Sequence, residues 1–511
     1  MTVSLKSPSL SCFRLASLVL GLSASGLGLS RPASAAPSVN VDNTNASCSD
    51  TVGQPFCTLQ AAVNKVPDGT TLNLAAGLYA GTVNIEGRHG LNLVGASRDS
   101  VVFKPASTLP WNIASYGAAR QTVVRVVDST DIALLNLTMD FGTVANNFVY
   151  GVIFWNSTGT VDGCLLKNLG IPDAQDGYYE YGVYARAPDF TDGARATLTV
   201  RNNTFQDMGR VGVQTHDYVQ ALIQGNLFKK LKRDFGYAIE MGSRSTGSIL
   251  GNTITDYNQP AAADGAPSAG IYVENAFTAG GPSGLKPVLI QNNILQRNEF
   301  GMILGDDVEA LLGDVKIQLT LDSNTLTDNL QGGVYVTDAG HANGSSVTLM
   351  TRGNRLRRNG TFGYTFLTAG DGEIHASLSN EVLTGHGHGV MISDPHAAPS
   401  PSVYDVSIHT SDLSGNLVAG LRNNLPPSVT VDATNNWWGC ATGPGSTGCD
   451  SVRGAANTTP WNAQPNTAGL QAGTFRGEEA SAAPAHAPLR AGSGKAPLNR
   501  GARPLHGKPT L

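Results

Sequence analysis

Charge is scarce in this 511-residue chain: Asp, Glu, Lys and Arg together make up 14% of it, and the net charge is only -5. With no basic patch in its repeats, nucleic acid is excluded as a natural partner. No repeat carries the three-to-four-residue apolar period of a helix, which excludes a helical bundle. Beyond the N-terminus no stretch is long and apolar enough to span a bilayer. Cysteine is sparse as well, with six residues, whereas glycine numbers 60 and marks a chain built on turns.

The N-terminus reads as an address. Lys6 and Arg14 precede an apolar stretch from Leu15 to Leu29, followed by Ala33-Ser-Ala. A positive segment, a short apolar segment and a small-residue cleavage site predict a signal peptide over 1–35, the alternative being a retained anchor. The expected product is a protein that is secreted or held at the cell surface, with no membrane span once the leader is removed. Cysteine spacing agrees: Cys48 with Cys57 and Cys440 with Cys449 form two close pairs that bracket the repeats. They read as disulfides of an oxidising compartment, and a zinc site is the weaker reading because no His lies near them. Cys12 leaves with the leader, and Cys164 remains over.

Glycine is arranged with a period. A Gly followed by a small alternating run recurs about every thirty residues, at Gly151, Gly182, Gly212, Gly236, Gly270, Gly301, Gly333, Gly363 and Gly389. A second phrase precedes most of these, led by Asn203, Asn226, Asn252, Asn293, Asn324, Asn354 and Asn380. Each Asn comes after an alternating strand-like run such as Ala196-Thr-Leu-Thr-Val. Strand, Asn turn, short strand and Gly-led strand, repeated, predict an all-β, single-stranded parallel β-helix whose equivalent residues stack at ~4.8 Å. The Asn residues then form a structural ladder, and Cys164 falls in their column as a buried thiol.

On these residues the chain resembles the secreted right-handed parallel β-helix proteins of the pectate-lyase-like superfamily. Phe56-Cys-Thr-Leu-Gln-Ala-Ala-Val, Pro67-Asp-Gly-Thr-Thr-Leu-Asn-Leu and Gly77-Leu-Tyr resemble the family's opening segment, in which a short helix caps the coil. Asn435-Asn-Trp-Trp-Gly, Gly443-Pro and Pro460-Trp resemble its closing segment. The resemblance implies an N-terminal cap with the first turns over 36–110 and repeats with a C-terminal cap over 111–465. Residues 466–511 are Pro, Ala and Gly with scattered basic side chains, and read as a disordered tail. The superfamily contains lyases, hydrolases, epimerases, esterases and non-catalytic surface proteins, so the fold does not fix the activity.

Register then predicts a site. In each Gly-led strand the first and third residues after Gly are apolar and read as inward, which leaves the second and fourth outward. The fourth-residue column reads Trp155, Arg186, His216, Glu240, Glu274, Gly305, Thr337, and the second-residue column includes Tyr184, Gln214 and Tyr272. Asp306 lies one residue later on its rung. Long inserts at 187–195, 276–287, 306–314 and 394–402 leave the coil beside this face, which predicts a trough with His216 and Glu240 on its floor. Glu240 and Glu274 on adjacent rungs would stand roughly 5 Å apart, near a retaining glycosidase pair, and Glu240 with Asp306 roughly 9–10 Å apart, nearer an inverting pair. Alternatively His216 or Arg186 abstracts a proton beside a uronate carboxylate, with Arg186 holding that carboxylate.

Two familiar strings carry less. Gly305-Asp-Asp and Gly385-His-Gly resemble polygalacturonase motifs, but they lie three rungs apart, roughly 14 Å along the axis, and that family's other motifs are missing. His388 shares the column of Tyr181, Phe235, Phe300 and Phe362, which predicts an interior stack. The paired motifs of pectin methylesterases are missing too. Asp173, Asp176 and Glu180 have oxygen ligands spaced for Ca2+, although an exposed acidic loop is the plainer account; no other cofactor is indicated. The expectation is a monomer acting on a polysaccharide or cell-surface glycan. Glu240, His216, Arg186, Glu274 and Asp306 would be catalytic in a lyase or hydrolase, with Tyr184, Gln214, Tyr272 and Trp155 binding substrate. The alternative is a non-catalytic, glycan-binding surface protein using the same trough.

Overall fold

The computed structural model describes residues 36–105, 111–112, 119–142, 149–169, 181–191, 193–230, 236–242, 244–258, 267–274, 287–305, 316–338, 346–368, 372–394 and 402–465. The chain divides into two units, Met1–Ala36 and Pro37–Leu511, and the coil lies wholly in the second. The expected leader and tail lie outside the described residues.

The repeat phrases fold as the spacing predicts. Three long parallel sheets run the length of a β-helix. One carries the strand before each Asn, from Ser38–Val41 to Ala456–Asn457, and a second the short strands after it. The third carries the Gly-led strands, among them Tyr181–Ala187, Val211–Asp217, Tyr237–Met241, Ala269–Glu274 and Phe300–Gly305. Among the described residues the one α-helix is Leu59–Lys65, capped by Thr58, with Leu59, Ala62 and Val63 buried against the first turn. No described helix is long and apolar enough to cross a membrane. Cys48–Cys57 and Cys440–Cys449 are disulfides, with Cα–Cα distances of 5.0 and 5.4 Å.

The Asn column is a ladder. Asn293 donates its backbone N–H and its Nδ2 to Asn324 Oδ1, both at 3.0 Å, and Nδ2 also reaches the Ile249 carbonyl at 2.8 Å. Stacking identical amides satisfies backbone groups that a buried turn would otherwise orphan. Cys164 opens the ladder as expected, donating its N–H to Asn203 Oδ1 at 2.8 Å, and burial pushes its thiol up to about 12. A second ladder, unanticipated, runs Asn298, Asn329 and Asn359. His386 ends it, its Nδ1 accepting from Asn359 N at 3.0 Å.

Register corrects the last Asn assignment. Arg355 pairs with Val382, so the residue beneath Asn354 is Glu381, not Asn380. Glu381 accepts from Asn354 Nδ2 at 3.1 Å, Thr351 Oγ1 at 2.9 Å and Tyr364 Oη at 2.8 Å. Burial outweighs these bonds and pushes its carboxyl up to about 7 from 4.5. A folded-state pKa above the unfolded value means stability that is complete below pH ~4.5 and is lost as pH rises through 7. The shift corresponds to about 3 kcal/mol. Glu381→Gln should therefore raise stability at pH 8 relative to wild type and flatten its dependence between pH 5 and 8, as read by urea titrations at the two pH values. An unchanged difference would remove Glu381 as its source.

Glycine recurs because the coil has no room for a side chain there. A Cβ on Gly301 would lie 2.6 Å from the Gly333 carbonyl oxygen and 2.6 Å from Leu326 Cδ2. The position faces the interior, as does the residue after it, so the inward–outward alternation breaks at the glycine. The residue before it consequently points outward. Tyr181, Phe300 and Phe362 form an apolar cluster on the outer face with Tyr184, Tyr237 and Tyr335, instead of the expected interior stack. His388 pairs with Phe362 in that column and is likewise outward, while Phe235 lies outside the described residues.

Candidate functional site

The third sheet presents its outer face between Tyr181–Ala187 and Ala269–Glu274. Arg186 pairs in register with His216, and Gln214 with Glu240, which in turn pairs with Tyr272. This corrects one expected position. Val211 pairs with Tyr237 and Val213 with Ile239, so Ala238 occupies the glycine column and Gly236 lies two residues ahead of it. Glu240 therefore belongs to the second-residue column with Gln214 and Tyr272, one column away from His216.

The offset brings the side chains together. The position opposite His216 on the next rung falls to Gly242, and a Cβ there would lie 2.5 Å from the imidazole Cε1. The ring fills that space and brings Nε2 to 3.5 Å from Glu240 Oε1. Gln214 Nε2 donates to the same oxygen. Glu274 approaches from the following rung, so that one ligand atom each of His216, Glu240 and Glu274 lies within 4.8 Å of the other two.

The group is largely desolvated: Glu240 is 5% and Glu274 9% exposed. Burial pulls the Glu240 pKa up, but the His216 hydrogen bond and charge, the Arg210 charge and the Gln214 amide together outweigh it. The carboxyl stays below its ordinary value and is ionised at neutral pH. Arg210, which lies over the Tyr237 ring with its guanidinium carbon 5.2 Å from the centroid, was not anticipated. It precedes the strand by one residue, outside the alternating pattern, so no column pointed to it.

Arg186 is engaged elsewhere. It pairs with Asp217, which Arg244 also approaches at 3.8 Å, and it lies over Trp155 at 5.6 Å. Tyr184 is 5% exposed, packed against Tyr150 and Tyr181, with its ring 6.3 Å from that of His216. Tyr272 is half-buried beside Tyr237 at 4.7 Å. Of the nine expected site residues, then, His216, Glu240, Glu274 and Gln214 converge, Tyr184 and Tyr272 border them, and Arg186 with Trp155 forms a neighbouring pair around Asp217. Asp306 lies outside the described residues, as do Asp173, Asp176 and Glu180 and most of the expected flanking loops.

A carboxylate held ionised beside an imidazole and a second carboxyl can serve as base, nucleophile or ligand. No curated protein matches the sequence. Residues 190–394 match the family model described as the right handed beta helix region. Solved structures of similar fold include the periplasmic alginate epimerase AlgG, 14% identical over 79% of this chain and 84% of that one, with a TM-score of 0.44. A thermostable alpha-1,3-glucanase catalytic unit from Streptomyces thermodiastaticus is 17% identical over 73% and 68%, with a TM-score of 0.44. The Family 28 exopolygalacturonase of Yersinia enterocolitica is 10% identical over 72% and 78%, with a TM-score of 0.37. The coil is a parallel β-helix, and its residues 190–394 are similar to the right handed beta helix region.

Proposed function

We propose that the chain is an exported enzyme acting on a polysaccharide, as a lyase or glycoside hydrolase, with its reaction centre at Glu240, His216 and Glu274. The observation that carries this reading is the convergence of these side chains, from three successive rungs, on one desolvated patch of the outer face. Surface decoration would leave them splayed into water. Both reaction classes need an ionised group at the reacting sugar and a second group that handles a proton. Glu240 supplies the first, and His216 or Glu274 the second. Export is supported by two disulfides, which persist in oxidising compartments.

A product-detecting screen over pectin, alginate and neutral glycans tests the reading, scoring new reducing ends for hydrolysis and unsaturated ends for elimination. Turnover that depends on Glu240 is the expected result. Binding without products across the panel would overturn the enzyme reading in favour of a glycan-binding β-helix.

A further inference from the structure

We propose that His216, Glu240 and Glu274 hold a divalent transition-type cation such as Zn2+ or Mn2+. The inference shares its pocket with the proposed function but does not depend on turnover. Geometry supplies the first argument. An ion with bonds of ~2.0–2.2 Å sets its ligand atoms ~3–4 Å apart. The imidazole and the two carboxylates already offer one atom each within 4.8 Å of one another, so small side-chain rotations close the site.

Charge and hydrogen bonding supply the second. Two carboxylates this close and this desolvated repel one another unless a cation lies near. Arg186 and Arg244 are drawn to Asp217, and Arg210 is a positive group acting on Glu240. Gln214 is an independent observation. Its amide, 2% exposed, is fixed at the cluster by its bond to Glu240, yet its carbonyl oxygen has no hydrogen-bond donor. A buried acceptor without a donor is costly in a protein interior and is relieved by a cation.

The donor set also indicates the kind of ion. An imidazole with two carboxylates suits Zn2+, Mn2+ or Fe2+, whereas Ca2+ and Mg2+ take oxygen ligands. Three protein ligands leave positions open for water or a sugar oxygen, the arrangement of a catalytic rather than a structural metal. Gly242 completes the device, because only the absence of a side chain lets His216 lie where it meets Glu240.

The test titrates Zn2+ and Mn2+ by calorimetry into the full chain after chelator treatment and dialysis, with Co2+ absorption in the visible as a spectroscopic report of the ligands. One equivalent should bind. His216→Ala and Glu274→Gln should each weaken binding by at least roughly 100-fold, and Gly242→Ala, which removes no ligand, by about 10-fold. Circular dichroism establishes that each variant is folded. No binding to the wild-type chain, or undiminished binding to His216→Ala, would overturn the site. Glycan turnover that persists in metal-free protein together with no binding sinks the ion and leaves the enzyme reading intact. Binding of one ion without turnover supports the ion and sinks the enzyme reading.

Discussion

Glu240→Gln should lower glycan turnover by about three orders of magnitude or more, while the protein melts within a few degrees of wild type. The substitution keeps the size and shape of a side chain that is 5% exposed, so the outer face keeps its packing. What it removes is the charge. Wild type holds that charge against burial through His216, Arg210 and Gln214, three groups arranged around one carboxylate. A neutral side chain would need none of these partners, so the surroundings are built for the ionised form. Initial rates on whichever glycan is turned over, measured beside a thermal melt, separate the two effects. Retention of a tenth of wild-type activity would sink Glu240 as the central group, whatever the melt showed.

The coil was legible because two of its constraints are local and repeated. Gly301 and its equivalents are fixed by a carbonyl and an inner side chain that leave no space for Cβ, and the Asn column by backbone groups that need a buried amide. Each leaves the same letter in the sequence every turn. The site was legible only in composition. Arg186, His216, Glu240 and Glu274 stood out as a group, but counting from Gly236 put Glu240 in the wrong column. The strand register starts from Ala238, where a small residue other than Gly is accommodated, and no neighbouring residue marks the substitution. The outward aromatics were misplaced for a related reason. Strict alternation was carried through a glycine at which the chain bends, and this assigned Tyr181 and Phe362 to the wrong side. Gln214 was read as a substrate contact on its column alone, and its bond to Glu240 depends on an offset that the sequence does not display. Glu381 escaped because a Glu in an Asn column looks like a break in the pattern, when it is a chemical substitute within it.

Asn324→Ala should cost about 4 kcal/mol and split unfolding into two transitions. Asn324 is fully buried, and its Oδ1 accepts both the N–H and the Nδ2 of Asn293, each at 3.0 Å. Its own Nδ2 reaches the Ile290 carbonyl at 2.8 Å and Asn354 Oδ1 at 2.9 Å. Alanine leaves the Asn293 N–H without an acceptor and the Ile290 oxygen without this donor, at about 1–3 kcal/mol for each buried group, and adds a small cavity. A coil holds each rung only through its neighbours, so a weak rung uncouples the turns on either side of it. The N-terminal part, with the helix Leu59–Lys65 over its end, and the C-terminal part, closed by the buried Trp438, should then melt separately. Asn324→Asp is the informative companion. A carboxylate still accepts from Asn293 but donates to neither the Ile290 oxygen nor Asn354 Oδ1 unless protonated, as Glu381 is below pH 7. Its loss of stability should therefore be greater at pH 8 than at pH 5, whereas the loss for Asn324→Ala should be the same at both. Urea titrations of the two variants at the two pH values decide the matter. A loss below about 1 kcal/mol for Asn324→Ala would show that side-chain packing, not the amide ladder, holds the rungs in register.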